Sequence, residues 1–439
     1  MGTALVIAAT HSGAGKSLIT MALLRAFKQR GLNMAVAKTG PDYIDPAFHA
    51  KAINSVCYNF DLWAMNDDSL NMVEQHLARA DMAIIEGVLG LFDGPVKGIG
   101  STADVAKRLN LPVILVVDAG AMGQSVAALI QGFVNFRSDI EVAGIIFNNI
   151  GSARHEKMLR AAVKPLNLEV FGCLARHNDM LLPARHLGLK QADEMVNFDG
   201  FIDRAANYIK QHIDLDSLAS KAKPCLTKSK ATVNKLNKKS ALQPLGQKIA
   251  IAKDAAFAFC YPHILQKWRD MGAELSFFSP LDNEMPNLAA DAVYLPGGYP
   301  ELFAPQLASK FELGARLRQM AKADKLIYGE CGGYMCMGEA LVDKKGVAHK
   351  MFGLLDLVTS FEKPKRHLGY RQLSHNSALP WASELNGHEF HYTHALKAVG
   401  EALFSATDAE AVGQPDMGLK NGRIMGSYAH VIDVASDND

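Results

Sequence analysis

Two short stretches carry residue types whose spacing could do chemistry. The first is Thr10-His11-Ser12-Gly13-Ala14-Gly15-Lys16-Ser17. It follows the phosphate-binding pattern G-x-x-x-x-G-K-[ST], with Thr10 in place of the first glycine. Around Gly13, Ala14 and Gly15 backbone N–H groups can converge on phosphate oxygens, and the helix that follows presents its positive end to them. Lys16 would neutralise the β- and γ-phosphates, and the Ser17 hydroxyl would ligate Mg²⁺. ATP and Mg²⁺ are therefore the expected ligands. Candidate acids are Asp42 and Asp45 in Pro41-Asp42-Tyr43-Ile44-Asp45-Pro46, and Glu86 and Asp93 in Glu86-Gly87-Val88-Leu89-Gly90-Leu91-Phe92-Asp93-Gly94. Magnesium takes oxygen ligands, so Ser17, Asp42 and Glu86 form the expected metal set. Asp45 and Asp93 read equally well as turn residues. Asn148 ends a later apolar run and could read an adenine edge through its amide, though a polar strand end explains it almost as well.

The second stretch is Tyr328-Gly329-Glu330-Cys331-Gly332-Gly333-Tyr334. It is the thiol counterpart of the G-x-S-x-G nucleophile elbow, in which flanking glycines permit a tight strand-to-helix turn. Cys331 is the expected nucleophile, its thiol pKa lowered by the helix N-terminus behind it. Gly332 N–H is one oxyanion-hole donor, and Gly298, in Leu295-Pro296-Gly297-Gly298-Tyr299-Pro300-Glu301, is a second. A thiol nucleophile needs a base, and His430 in Gly426-Ser427-Tyr428-Ala429-His430 is a candidate. Spacing alone does not choose among 15 histidines. Gly387-His388-Glu389-Phe390-His391-Tyr392 is a near-miss to the zinc pattern H-E-x-x-H, which needs His at 392. With Phe and Tyr interleaved it reads as a strand lining a cleft, with no metal expected.

These residues need elements to hold them. Leu5–Ala9, Met34–Lys38, Ala83–Glu86, Val113–Asp118, Val142–Asn148 and Val170–Ala175 are short runs rich in Val, Ile and Ala. Amphipathic stretches separate them, such as Ser17–Gln29 with Ile19, Leu23, Leu24 and Phe27 on one face. Strand–helix alternation implies a parallel sheet covered on both sides, which exposes functional residues at its carboxyl edge. The pattern fades after Ile213. Lys at 221, 223, 228, 230, 235, 238 and 239 without an acid mark a solvated linker. A second alternating series starts at Ile249. The expectation is α/β, with domains at 1–213 and 247–439 joined by a basic linker over 214–246.

Composition bounds the rest. Forty-six Lys and Arg against 45 Asp and Glu leave a charge of +1, which argues against a chain that coats nucleic acid or an anionic membrane. Six cysteines without C-x-x-C spacing fit reduced thiols in the cytoplasm. No apolar run has the length of a spanning helix.

Taken in order, these motifs, with Leu368-Gly369-Tyr370-Arg371, resemble the cobyrinic acid a,c-diamide synthase family over nearly the whole chain. The resemblance implies two three-layer domains, an N-terminal P-loop NTPase of mostly parallel sheet and a C-terminal class I glutamine amidotransferase. It implies ATP- and Mg²⁺-dependent amidation of the a and c carboxylates of cobyrinate in cobalamin biosynthesis, with glutamine or ammonia as nitrogen donor. Its partners are then small molecules, with no nucleic acid and no membrane; a homodimer is an allowed assembly. It carries Cys331 over as nucleophile and His430 as base. Tyr43, Ile44, Asp45 and Asp93 are the candidates for positioning the tetrapyrrole. The usual third member of the triad would be Glu at 432, where this chain has Ile, so Asp433 or a backbone carbonyl is the expected orienter. Alternatives are the same chemistry on hydrogenobyrinate, nickel-sirohydrochlorin or cobyric acid precursors, and a partitioning-type P-loop switch. The switch group carries a lysine at the position of His11, and it leaves the thiol elbow unexplained.

Overall fold

The computed structural model describes residues 2–176, 184–185, 188–189, 191–225 and 241–435. The chain divides into two compact units, Met1–Trp63 with Ser69–Thr232, and Ala64–Asp68 with Val233–Asp439.

The first unit is built on β1 (Thr3–Ala9), β2 (Met34–Thr39), β3 (Cys57–Phe60), β4 (Met82–Glu86), β5 (Val113–Asp118), β6 (Val142–Ile150) and β7 (Glu169–Ala175). They pair in the order β3-β2-β4-β1-β5-β6-β7, all parallel. Their apolar runs are buried along almost their whole length, as a sheet covered on both faces requires. The strand β3 was not expected: its four residues, Cys-Tyr-Asn-Phe, are too few and too polar to register as an apolar run. Helix α1 (Lys16–Gln29) buries Ile19, Leu23, Leu24 and Phe27 as its spacing predicts, and α2 (Ile44–Ile53) follows β2.

The boundary expected at Ile213 falls short of where this unit's fold ends. Leu215–Lys221 is a helix with Asp214 capping it and Leu215 and Leu218 buried, and Lys223–Pro224 pairs antiparallel with β1. Apolar residues three apart anchor it to the core despite the lysines around them. Residues 226–240 of the expected linker lie outside the described residues.

In the second unit, Glu274–Phe278, Lys248–Ala252, Ala292–Leu295, Leu326–Glu330 and Ile424–Ser427 form a parallel sheet in that order, with Leu419–Asn421 antiparallel at the edge. From about residue 340, although Ala340–Val342 pairs in parallel with Asp356–Ser360, most pairings are antiparallel. Glu384–His391 lies between His367–Ser374 and His430–Val434 in one such sheet. The sequence reading missed this extent of antiparallel strand, because polar and aromatic residues alternate there without an unbroken apolar run.

Candidate functional site

In the first unit the carboxyl ends of β1, β2, β4 and β6 converge. Between β1 and α1 the chain makes a loop with φ of 82° at Gly13 and 97° at Gly15, conformations that a side chain strains. The loop floors a cavity of about 410 Å³ lined by Ser12, Gly13, Lys16, Ser17, Asn148 and Tyr208 among others. Lys16 Nζ donates to the carbonyl of Leu89, a residue held at φ 51°. Burial and the neighbouring Lys38 push the Lys16 ammonium below its usual range. Asn148 faces the same cavity, but its Nδ2 donates to Ala14 O at 2.9 Å, so it braces the loop.

The acids arrange themselves differently from the expected metal set. Ser17 Oγ donates to Asp45 Oδ2 and to Glu86 Oε1, each at 2.9 Å. Asp42 instead turns Oδ1 onto the backbone N–H of Ile44 at 2.8 Å, because it stands just ahead of α2 and takes up the helix's orphan donors. So Asp45, expected at the tetrapyrrole, sits on the Ser17 hydroxyl, and Asp42 does not. Burial, with Asp45 close by, pushes the Asp42 carboxyl up to about 7. Tyr43 and Ile44 begin α2 half-buried outside the cavity lining, and Asp93 accepts from Gly90 N at 2.8 Å.

Lys38 was missed altogether. Its ammonium lies 2.7 Å from Asp45 Oδ2 and 2.8 Å from Glu86 Oε1, both buried with it. Burial disfavours the charge, but Asp45 and Glu86 outweigh it and hold Lys38 above its ordinary range. The Glu86 carboxyl is likewise buried, yet Lys38 and His49 hold it well below the usual carboxylate range. In sequence Lys38 is one polar residue ending an apolar strand, which carries no signal. The donor set of Ser17 Oγ, Asp45 and Glu86 is all hard oxygen, which fits magnesium bound together with nucleotide phosphates.

In the second unit the strand Leu326–Glu330 runs into Cys331, which takes φ 46° and ψ −107° before the helix Gly332–Met337. This is the strained elbow expected from its glycines. There is no room for side chains beside it: a methyl on Gly333 would stand 1.9 Å from Leu295 O, and one on Gly332 2.9 Å from Gly298 N. The two expected oxyanion glycines are thus neighbours. The sulfur receives the Gly332 N–H and donates to Phe390 O at 3.8 Å. The thiol is not lowered, as the helix terminus suggested. Burial pushes it up, helped by Glu301, Glu330 and Glu389, and the single Gly332 N–H does not compensate.

His430 comes to the same place. A methyl on Gly297 would lie 2.2 Å from His430 Cε1, 3.0 Å from Nε2 and 3.3 Å from Cys331 Cβ. Burial, with His388 and His391 nearby, pushes His430 down to about 3, so the ring is neutral near pH 7. Asp433 is not its orienter. Three residues further along a strand, it leaves the opposite face, where it accepts from Asn66 N and Nδ2, each at 3.1 Å. The near-miss stretch is a strand as read; His367, Glu389 and His391 offer ligand atoms within 4.8 Å of one another, with the Arg371 guanidinium already paired to Glu389.

Comparison with known proteins agrees with this division. Residues 5–189 match the CobQ/CobB/MinD/ParA nucleotide binding domain, and residues 248–437 match the CobB/CobQ-like glutamine amidotransferase domain. A hydrogenobyrinate a,c-diamide synthase of Brucella anthropi is 47% identical over 436 residues, spanning 98% of this chain and 99% of that one. Those of a Sinorhizobium species and of Rhodobacter capsulatus are 46% and 43% identical, each over 98% of this chain.

Proposed function

The chain belongs to the cobyrinic acid a,c-diamide synthase family, and from that premise we propose that it amidates the a and c carboxylates of a metal-free hydrogenobyrinate ring. It is a glutamine-dependent, amide-forming ligase that uses ATP. Cobyrinate is the ring that the family resemblance implies; the names of the relatives favour its metal-free counterpart. The observation that carries the proposal is the presence, on one chain, of a phosphate-loop cavity and a cysteine elbow with a neutral histidine beside it.

A carboxylate is a poor acyl donor, so one of its oxygens first attacks the γ-phosphorus of ATP, and ADP leaves. Lys16 and the loop N–H groups of Gly13, Ala14 and Gly15 hold the phosphates for this transfer. Ser17, Asp45 and Glu86 would hold a Mg²⁺ ion, which would neutralise charge on the phosphate oxygens. Asp42, Tyr43, Ile44 and Asp93 lie within or near the turn at the head of α2 and the loop after β4, and serve the ring. In the second unit Cys331 Sγ bonds to the amide carbon of glutamine, its proton passing to His430 Nε2. Gly332 and Gly298 N–H groups support the oxyanion. The C–N bond breaks, ammonia leaves with the His430 proton, and water clears the thioester as glutamate. Ammonia then attacks the acyl phosphate and releases phosphate.

Incubation with ATP, glutamine and, separately, hydrogenobyrinate, cobyrinate or nickel-sirohydrochlorin, followed by product mass, tests the assignment. A diamide from hydrogenobyrinate in preference to the others is expected. Amidation of nickel-sirohydrochlorin alone would contradict it.

A further inference from the structure

We infer that Glu330, the residue immediately before the nucleophile, is the positioning residue for His430 and stands in for the acid missing at 432. This rests on the amidotransferase reading of Cys331 and His430. The side chain of Ile432 offers no acceptor, and the Asp433 carboxylate is turned onto Asn66. Glu330 is buried, and its Oε2 lies 3.8 Å from His430 Nδ1. The other nitrogen, Nε2, shares the space beside Gly297 with Cys331 Cβ. The imidazole thus has the Glu330 carboxylate near Nδ1, while Nε2 borders the space that Gly297 leaves open beside Cys331 Cβ.

The carboxylate is held in that place from three directions. Tyr294 OH donates to Oε2 at 2.6 Å, Tyr328 OH donates to Oε1 at 3.0 Å, and the backbone N–H of Val431 donates to Oε1 at 3.0 Å. The last contact ties the acid to the residue next to the base. At 3.8 Å the approach to His430 is an ion-pair distance without a hydrogen bond, and such contacts tighten when the ring takes the thiol proton. Gaining a proton in this buried setting leaves an imidazolium that needs a counter-charge, and Glu330 supplies it.

The groups facing this pair set its pH response. Glu330 meets Tyr294, Tyr328, Cys260 and Cys331, while His430 meets His388 and His391, and Glu301 and Glu389 also face Cys331. Burial pushes the Glu330 carboxyl up to about 7 against the pull of the tyrosine hydroxyls and Val431 N–H. Ionisation on raising the pH through that value then increases the support for imidazolium. The predicted signature is a glutaminase kcat that climbs through neutrality.

The test is glutaminase turnover with glutamine alone, which needs neither ring nor ATP, on the full-length protein across pH. Glu330→Gln is expected to lower kcat by about 10²-fold, with the KM for glutamine little changed and the neutral limb abolished. Glu330→Asp should recover part of the rate. Tyr294→Phe removes a hydroxyl that holds the carboxyl down, so the limb should move to higher pH. A folded Glu330→Gln with normal kcat, or an unmoved limb in Tyr294→Phe, overturns the inference. Cys331→Ala separates the two readings: glutaminase surviving that change removes the amidotransferase assignment itself.

Discussion

At the residue scale the strained elbow at Cys331 was legible because glycine punctuates it on both sides. What it meets in space was not. Glu330 reads as an ordinary residue closing a strand, and only the pairing of Glu330 with Ser427 in the neighbouring strand brings His430 beside it. The thiol's raised pKa was hidden too, since it comes mainly from burial, with Glu301 and Glu389 from distant segments adding to it. Gly297 is a further case. No φ constraint singles it out in sequence, yet a methyl there would lie 2.2 Å from His430 Cε1. Gly297→Ala should push His430 off Cys331 and lower glutaminase kcat by about 10²–10⁴-fold, while ammonia-driven amidation continues. Steady-state assays with the two nitrogen donors decide it; full glutaminase activity in the variant contradicts the placement of His430.

At the element scale the parallel strands of the first unit were readable from their apolar runs, and their carboxyl ends correctly located the cavity. The charges buried among them were not. Lys38 ends β2 beside Asp45 from α2 and Glu86 from β4, so three elements meet at one ammonium. Removing one partner from such a buried cluster leaves charge without compensation. Lys38→Met should therefore cost about 3–5 kcal/mol of stability, read from urea unfolding of the first transition at neutral pH. A loss within experimental error would show that Asp45 and Glu86 do not need the lysine. The same cluster makes this region acid-sensitive. Glu86 is depressed in the folded state, so its contribution is complete above the unfolded Glu value of about 4.3 and declines as pH falls below it. The helix Leu215–Lys221 shows the opposite failure of reading: lysines masked a two-residue apolar anchor that composition alone discounts.

At the scale of the whole molecule, the chain divides into two compact units. Their division is legible because apolar alternation stops and restarts. The exchange of Ala64–Asp68 into the second unit is not, since those residues bind it through particular contacts such as Asn66 to Asp433. The proposed division of labour is that one unit activates a carboxylate with ATP while the other releases ammonia from glutamine. It is tested most directly by amide formation on the tetrapyrrole acid in Lys16→Ala and Cys331→Ala, each supplied with glutamine or with high ammonia. The account predicts that Lys16→Ala forms amide with neither donor, because no acyl phosphate is made, and that Cys331→Ala forms it with ammonia alone. Amidation by Lys16→Ala with ammonia, or by Cys331→Ala with glutamine, would contradict it.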